Sequence, residues 1–230
     1  MLLAARCLLV VCSLLPVAAA RAETLESVLS QMDAAAAQFQ TLTGHVRSAK
    51  YTAIVSDTTV DEGTIWVKKL RPHASQMLIE FTLPDKYYVE VGEKKARIYR
   101  PKIATIEEYD VTKLGDMKEQ LWLLSFGAAG RDLAAHYNVS FGKRETVGGQ
   151  QTVRLELIPK SPKLLQHVPK IEMWVSTANW QPVQQKVYDV TPGDYRLSTY
   201  TDIKLNAPIS NSQLQIHPAP GTRRIEPQKQ

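Results

Sequence analysis

The chain is poor in the residues that usually carry chemistry. Of its 230 residues only two are cysteines, Cys7 and Cys12, and both lie in the first 22 residues. A chain that begins after them has no thiol for a disulfide, a thiolate metal site or a cysteine nucleophile, and rests on its core alone. The five histidines, His45, His73, His136, His167 and His217, are far apart and none forms an H-x-x-x-H pair, so a metal site is not expected. No G-x-S-x-G elbow is present, because Ser125 sits in LLSFG without the second glycine. Phosphate-cradling glycine loops and dinucleotide fingerprints are absent too. Glu107 and Glu108 are adjacent and point to opposite sides of a strand, which makes them a poor acid–base pair. These absences argue against an enzyme and against any cofactor.

Long apolar runs are also missing. The longest, from Cys7 to Val17, is shorter than the roughly 20 residues a spanning helix needs. With Arg6 before it and small residues after it, it reads as a signal peptide over residues 1–22. Both Ala18-Ala19-Ala20 and Ala20-Arg21-Ala22 satisfy the small-x-small rule, and cleavage after Ala22 is preferred. Val11 ahead of Cys12 disfavours a lipid anchor there. The reading makes the protein an exported one, with about 208 residues left for one domain. Loss of Arg6 and Arg21 lowers the formal charge from +5 to +3. Basic pairs such as Lys68-Lys69 and Lys94-Lys95 are not interleaved with aromatic residues, so nucleic acid is not an expected partner. Asn138-Val139-Ser140 matches a glycosylation sequon.

What the chain has in quantity is alternation. From Gly63 to Asp110 apolar and polar residues alternate in short segments separated by turn signals, which puts every second side chain on one face of a sheet. Ile65 and Val67 share a face, as do Met77, Ile79 and Phe81, and then Tyr87, Val89 and Val91. Strands are expected near 43–56, 60–69, 74–82, 86–92, 95–100 and 103–109, and again near 136–147, 151–159, 168–177, 181–191 and 194–205. The separators include Asp57 to Thr59, Arg71-Pro72, Pro84-Asp85, Gly92-Glu93, Arg100-Pro101 and Gly148-Gly149. Val153, Leu155 and Leu157 form one apolar face, and Ile171, Met173 and Val175 another.

Helical spacing appears twice. Leu25 to Gln40 carries a stripe of Leu25, Val28, Leu29, Met32, Ala36 and Phe39, with Thr24 as N-cap and Gly44 ending the pattern. Ala34 to Ala37 keep this helix narrow, so it can lie close to a sheet. Leu114, Met117, Leu121, Trp122 and Leu124 suit a second helix, followed by a loop through Gly130. About eleven strands joined by tight turns favour an antiparallel meander. The expected class is α+β and mainly β: a curved antiparallel sheet, closed as a barrel or left open with helices at its mouth. The apolar face under the helix is either an ordinary packed core or the wall of a ligand cavity.

The order of these features resembles the LolA family of periplasmic lipoprotein carriers. The resemblance runs over residues 23–222 and is carried by AAAAQFQTLTG, GTIWVKKLRP, LPDKYYVEVGEKKARIYRP, LIPKSPK, VPKIEMWVSTANWQPVQQKVYD and GDYRLSTYTDIKLNAPI, with 223–230 left as a charged tail. It implies an unclosed antiparallel β-barrel with a helical lid, and a soluble, monomeric carrier that takes lipoprotein acyl chains from inner to outer membrane. An inner-membrane lipoprotein-releasing transporter and an outer-membrane acceptor are the implied partners. Carriage or sensing of another lipid on the same scaffold stays open, as does a non-binding interaction protein. The cavity and lid are expected from Leu29, Met32, Phe39, Ile65, Val67, Met77, Ile79, Phe81, Val89, Val91, Leu121, Trp122, Leu155 and Met173. In that family an arginine in the W-V-x-R-P segment pins the lid helix. Here the segment reads Trp66-Val67-Lys68-Lys69-Leu70-Arg71-Pro72, with one extra residue before the proline. Arg71 and Lys69 both compete for the role, and Arg71 is preferred for its planar fork.

Overall fold

The structure is a computed structural model and describes residues 24–227; the signal-peptide reading of 1–22 lies outside them. Among the described residues twelve strands form one sheet, in the order β12-β6-β5-β4-β3-β2-β1-β11-β10-β9-β8-β7. In chain order they are β1 (Thr41–Thr52), β2 (Asp57–Arg71), β3 (Ala74–Leu83), β4 (Tyr87–Val91), β5 (Lys95–Arg100) and β6 (Thr105–Asp110), followed by β7 (Tyr137–Val147), β8 (Gln150–Pro159), β9 (Ile171–Ser176), β10 (Pro182–Tyr188), β11 (Tyr195–Leu205) and β12 (Arg223–Ile225). Every pairing is antiparallel except β12 with β6. The sheet does not close, and β7 and β12 are its two edges. Four α-helices among the described residues accompany it: α1 (Leu25–Gln38), α2 (Asp116–Trp122), α3 (Gly130–His136) and the single turn α4 (Pro162–Leu165). The unclosed antiparallel barrel with a helical roof is the architecture expected from the order of sequence features.

Boundaries moved for local reasons. Thr24 caps α1, its side chain accepting from the Ser27 N–H at 3.2 Å. The helix stops at Gln38, two residues early, because Phe39 turns extended (ψ 126°) to enter the core. Asn206 closes that end: its amide donates to Gln38 O at 3.0 Å and its carbonyl oxygen accepts from Gln40 N–H at 2.8 Å. The first hairpin bends earlier than turn chemistry suggested. Ala53–Val55 make a 3-10 turn, Ser56 takes a left-handed conformation (φ 49°), and Asp57 to Thr59 are strand. One short strand joins the eleven or so expected: Arg223–Ile225, read as part of the charged tail, pairs with Thr105–Glu107.

The apolar residues sort into three groups. One packs α1, α2, α3 and β7–β9 around Met32, Leu133, Tyr137, Leu155, Leu157, Ile171 and Met173, all essentially free of solvent. A second lies on the concave side of β1–β4 and β11, around Phe39, Leu42, Ile65, Val67, Phe81 and Phe126. The third is on the opposite face, where Leu78, Tyr99, Ile106 and Trp66 are covered by Ile216. Residues 206–222 form a strap over that convex face. Glu90 accepts from Ile216 N–H at 2.9 Å, Gln76 donates to Leu214 O at 3.1 Å, and the Tyr99 hydroxyl accepts from Ala219 N–H at 3.2 Å.

Candidate functional site: an apolar hollow under a helical roof

A cavity of about 270 Å³ lies between the concave face and the segment that follows β6. Its floor is Ile65 of β2, Met77 and Ile79 of β3, Val91 of β4 and Tyr200 of β11. The strand registers bring these together, with Ile65 opposite Ile79 and Met77 opposite Val91. The roof is Val111, Leu114, Lys118, Leu121, Trp122 and residues 124–126. The lining is mostly apolar, with Gln185, Ser125, Lys118 and Tyr200 as its polar members. Burial pushes the Tyr200 phenol up to about 12, against a smaller lowering by its hydrogen bond with Ser198, so the phenol is uncharged at neutral pH.

Side-chain amides hold the roof down. Gln185 of β10 donates to Leu124 O at 2.5 Å, and Gln181 accepts from Gly127 N–H at 2.9 Å. Phe126 meets the Tyr200 ring edge-on at 4.8 Å, and Lys118 donates to Glu93 O at 3.1 Å. Gly127 has φ +74°, and a Cβ there would come within 2.3 Å of the Phe39 ring, so only glycine lets the loop seat so low. One polar atom of the lining is left over: the Ser125 hydroxyl oxygen is buried and has no hydrogen-bond partner.

The expected site residues divide among these regions. Ile65, Met77, Ile79, Val91, Leu121 and Trp122 line the cavity. Phe39, Val67, Phe81 and Val89 pack in the same concave group behind it. Met32, Leu155 and Met173 lie in the solvent-free group where α1 and α3 fill the space above β7–β9, and not along this cavity. Leu29 lies on the outer side of α1, beside Arg131. The cover over the cavity is therefore the 111–126 segment that contains α2, while α1 reaches this half of the sheet only at its last turn. Sequence reasoning missed Gln185, Gln181 and Tyr200, whose strands read as ordinary alternation. It also missed Ser125 as a lining residue, having weighed it only as a nucleophile.

A smaller cleft of about 170 Å³ separates the end of α1 from β2. Lys69 spans it, its ammonium donating to Ala36 O at 2.9 Å in the last turn of α1, where an unsatisfied carbonyl and the helix dipole both favour a cation. Arg71, preferred from the sequence, points elsewhere and pairs with Glu93 at 2.5 Å. The register shift between Lys69 and Arg71 is the cause: the extra residue turns Arg71 off the face that alternation assigns it. His73, with φ 58°, places Nδ1 3.6 Å from Glu119 of α2 and 3.8 Å from Asp132 of α3. Among the described residues no group of three or more His, Cys, Asp or Glu is placed to hold a metal, and no helix is long and apolar enough to cross a membrane.

The fold and the hollow define a class: an open-barrel β-protein with an apolar pocket under a helical roof. No family model matches the chain, and no curated protein matches it. Solved structures do. An uncharacterised conserved protein from Thermus thermophilus aligns over 87% of this chain and 98% of its own, at 11% identity and a TM-score of 0.53. The protein MucB aligns over 84% of this chain at 15% identity and a TM-score of 0.51. This chain spans about three fifths of the MucB length, 62%. A LolA superfamily protein from Nitrosomonas europaea aligns over 84% of this chain and 98% of its own, at 12% identity and a TM-score of 0.42. At such identities the similarity concerns the fold alone.

Proposed function

We propose that the protein is a carrier that shelters acyl chains in the hollow under α2. The observation that carries this reading is the cavity itself: about 270 Å³ of mostly apolar space, kept open on a sheet whose other half is packed solid. Apolar hollows are costly unless something fills them, because their walls lose contacts on one side. Burying a hydrocarbon chain gains about 0.8 kcal/mol per methylene, so a few methylenes suffice to offset the hollow. The unpaired Ser125 hydroxyl supplies one donor for an ester or amide carbonyl at the head of the chain. Nothing in the lining is a nucleophile with an adjacent base, which supports binding over turnover.

In the finer form of the reading the ligands are lipoprotein acyl chains in the periplasm. They are received from a lipoprotein-releasing transporter at the inner membrane and passed by a soluble monomer to an acceptor at the outer membrane. The roof must then move, and its few amide and ring contacts with β10 and β11 are suited to opening. Native mass spectrometry of the lipid-free protein with a palmitoylated peptide tests the carrier reading. One-to-one binding is expected, with none to the same peptide unacylated. Refusal of the acylated peptide sinks it. Crosslinking to cargo in the native envelope separates lipoprotein from other lipids.

A further inference from the structure

The first hairpin breaks the rule that turns are polar. Its tip presents Ile54, 90% exposed, and Val55, 66% exposed, while the neighbouring turn between β10 and β11 presents Val190, 54% exposed. A local rule broken without a packing gain marks a site of function. The tip is also a projection. β3 pairs with β2 only as far as Glu62 opposite Leu83, so Asp57 to Asp61 run on beyond it, a reach of about 16 Å at strand rise. β11 supports the projection from the other side, pairing as far as Tyr51 opposite Tyr195.

The tip is built, not frayed. Asp194 accepts from Ala53 N–H at 2.7 Å, and Ala53 O accepts from Ser56 N–H at 3.1 Å. The two ends of the turn are thus pinned while the side chains of Ile54 and Val55 face outward. Behind it lies a second layer. Tyr51 and Tyr195 stack at 5.2 Å, Tyr188 adjoins Tyr195 at 6.4 Å, and the Lys186 ammonium sits 3.9 Å over the Tyr195 ring. Tyr51 precedes Ile54 by one strand step and the first two residues of the 3-10 turn, about 7 Å of rise.

The geometry points to this finger as a membrane-docking element whose apolar tip enters the headgroup–acyl boundary of a bilayer. Apolar side chains lie outermost, Asp57 and Asp194 hold the neck of the turn, and tyrosines and then a lysine follow, the apolar-then-aromatic-then-basic sequence of a bilayer interface. The spacing matches the roughly 5–10 Å to which interfacial elements bury their apolar side. Residues 50–57 and 186–196 carry equal numbers of acidic and basic side chains. The attraction is therefore apolar and not a counter-ion effect, and binding should depend weakly on salt.

This inference stands apart from the hollow, and its test separates the two. Flotation of the protein with phosphatidylethanolamine–phosphatidylglycerol vesicles should show bound protein at both low and high salt. The double variant Ile54→Asp, Val55→Asp should lose about tenfold or more in partitioning, as expected for two withdrawn aliphatic side chains. Its melting point and its binding of acylated peptide should be unchanged. Leu70→Asp, at the opposite end of β2, should float like the parent. A second variant, Ile54→Trp, should float at least as well as the parent and show blue-shifted emission on vesicles. Equal flotation of the double variant, absence of flotation by the parent, or flotation abolished by salt each overturns the assignment. Loss of peptide binding with flotation intact overturns the carrier reading instead.

Discussion

At the scale of single residues, the contrast between Lys69 and Arg71 shows what spacing alone can and cannot settle. Alternation from Ile65 puts positions 67, 69 and 71 on one face, so both cations were candidates for the helix. The register shift at Leu70 decides between them, and nothing in the composition of that segment announces it. A lysine at a helix end is a point donor to one carbonyl, and Lys69 makes that single bond to Ala36. We expect Lys69→Met to lower stability by about 1 kcal/mol, the net worth of one such hydrogen bond, and to speed ligand exchange. Arg71→Leu removes only a largely exposed ion pair, worth about 0–1 kcal/mol, and should leave exchange rates as they were. Denaturant melts with stopped-flow exchange of a fluorescent fatty acid measure both. Faster exchange in Arg71→Leu than in Lys69→Met would return the role to the arginine.

At the scale of elements, strand positions were legible because period-two patterns and turn residues agree over most of the chain. Helix α1 was legible too, but not where it would pack. Its stripe states that one side is buried without stating against what, and α3 supplies the answer. The two helices meet at Gly130, where an added Cβ would lie 2.2 Å from Leu29 O and 2.5 Å from Leu29 Cα. Both obstacles are backbone, so neither can rotate away. Gly130→Ala should therefore cost roughly 1–3 kcal/mol by overpacking. Gly148→Ala, in an open turn at φ +56°, carries only a conformational penalty of about 1 kcal/mol. Paired melting curves test this, and equal losses would mean that α3 can shift off α1 freely. The C-terminal strap was hidden for a related reason. Trp66, Leu78 and Tyr99 interrupt the polar side of their strands, a sign of a second covered face that a single-face reading passes over.

At the scale of the whole molecule, the sheet is divided between a filled half and a hollow half, and the sequence does not distinguish them. Ile79 and Leu155 occupy equivalent places in equally regular strands. What separates them is the third layer. Over β8 and β9 the side chains of α1 and α3 reach the sheet, leaving Leu155 and Met173 without solvent contact. Over β2–β4 the roof rests on Gln185, Gln181 and Tyr200 and leaves space beneath. The two halves should therefore answer opposite substitutions. Ile79→Trp puts new volume into existing space, so it should hold or raise the melting point while reducing acylated-peptide binding at least tenfold, about 1.4 kcal/mol. Leu155→Ala opens a void in close-packed core and should cost about 2–5 kcal/mol, yet leave binding intact at temperatures where the variant stays folded. Calorimetric titration and thermal melts on the two variants read both quantities. Undiminished binding in Ile79→Trp would show that the ligand lies outside the hollow, and the division of the sheet would then have a structural origin only.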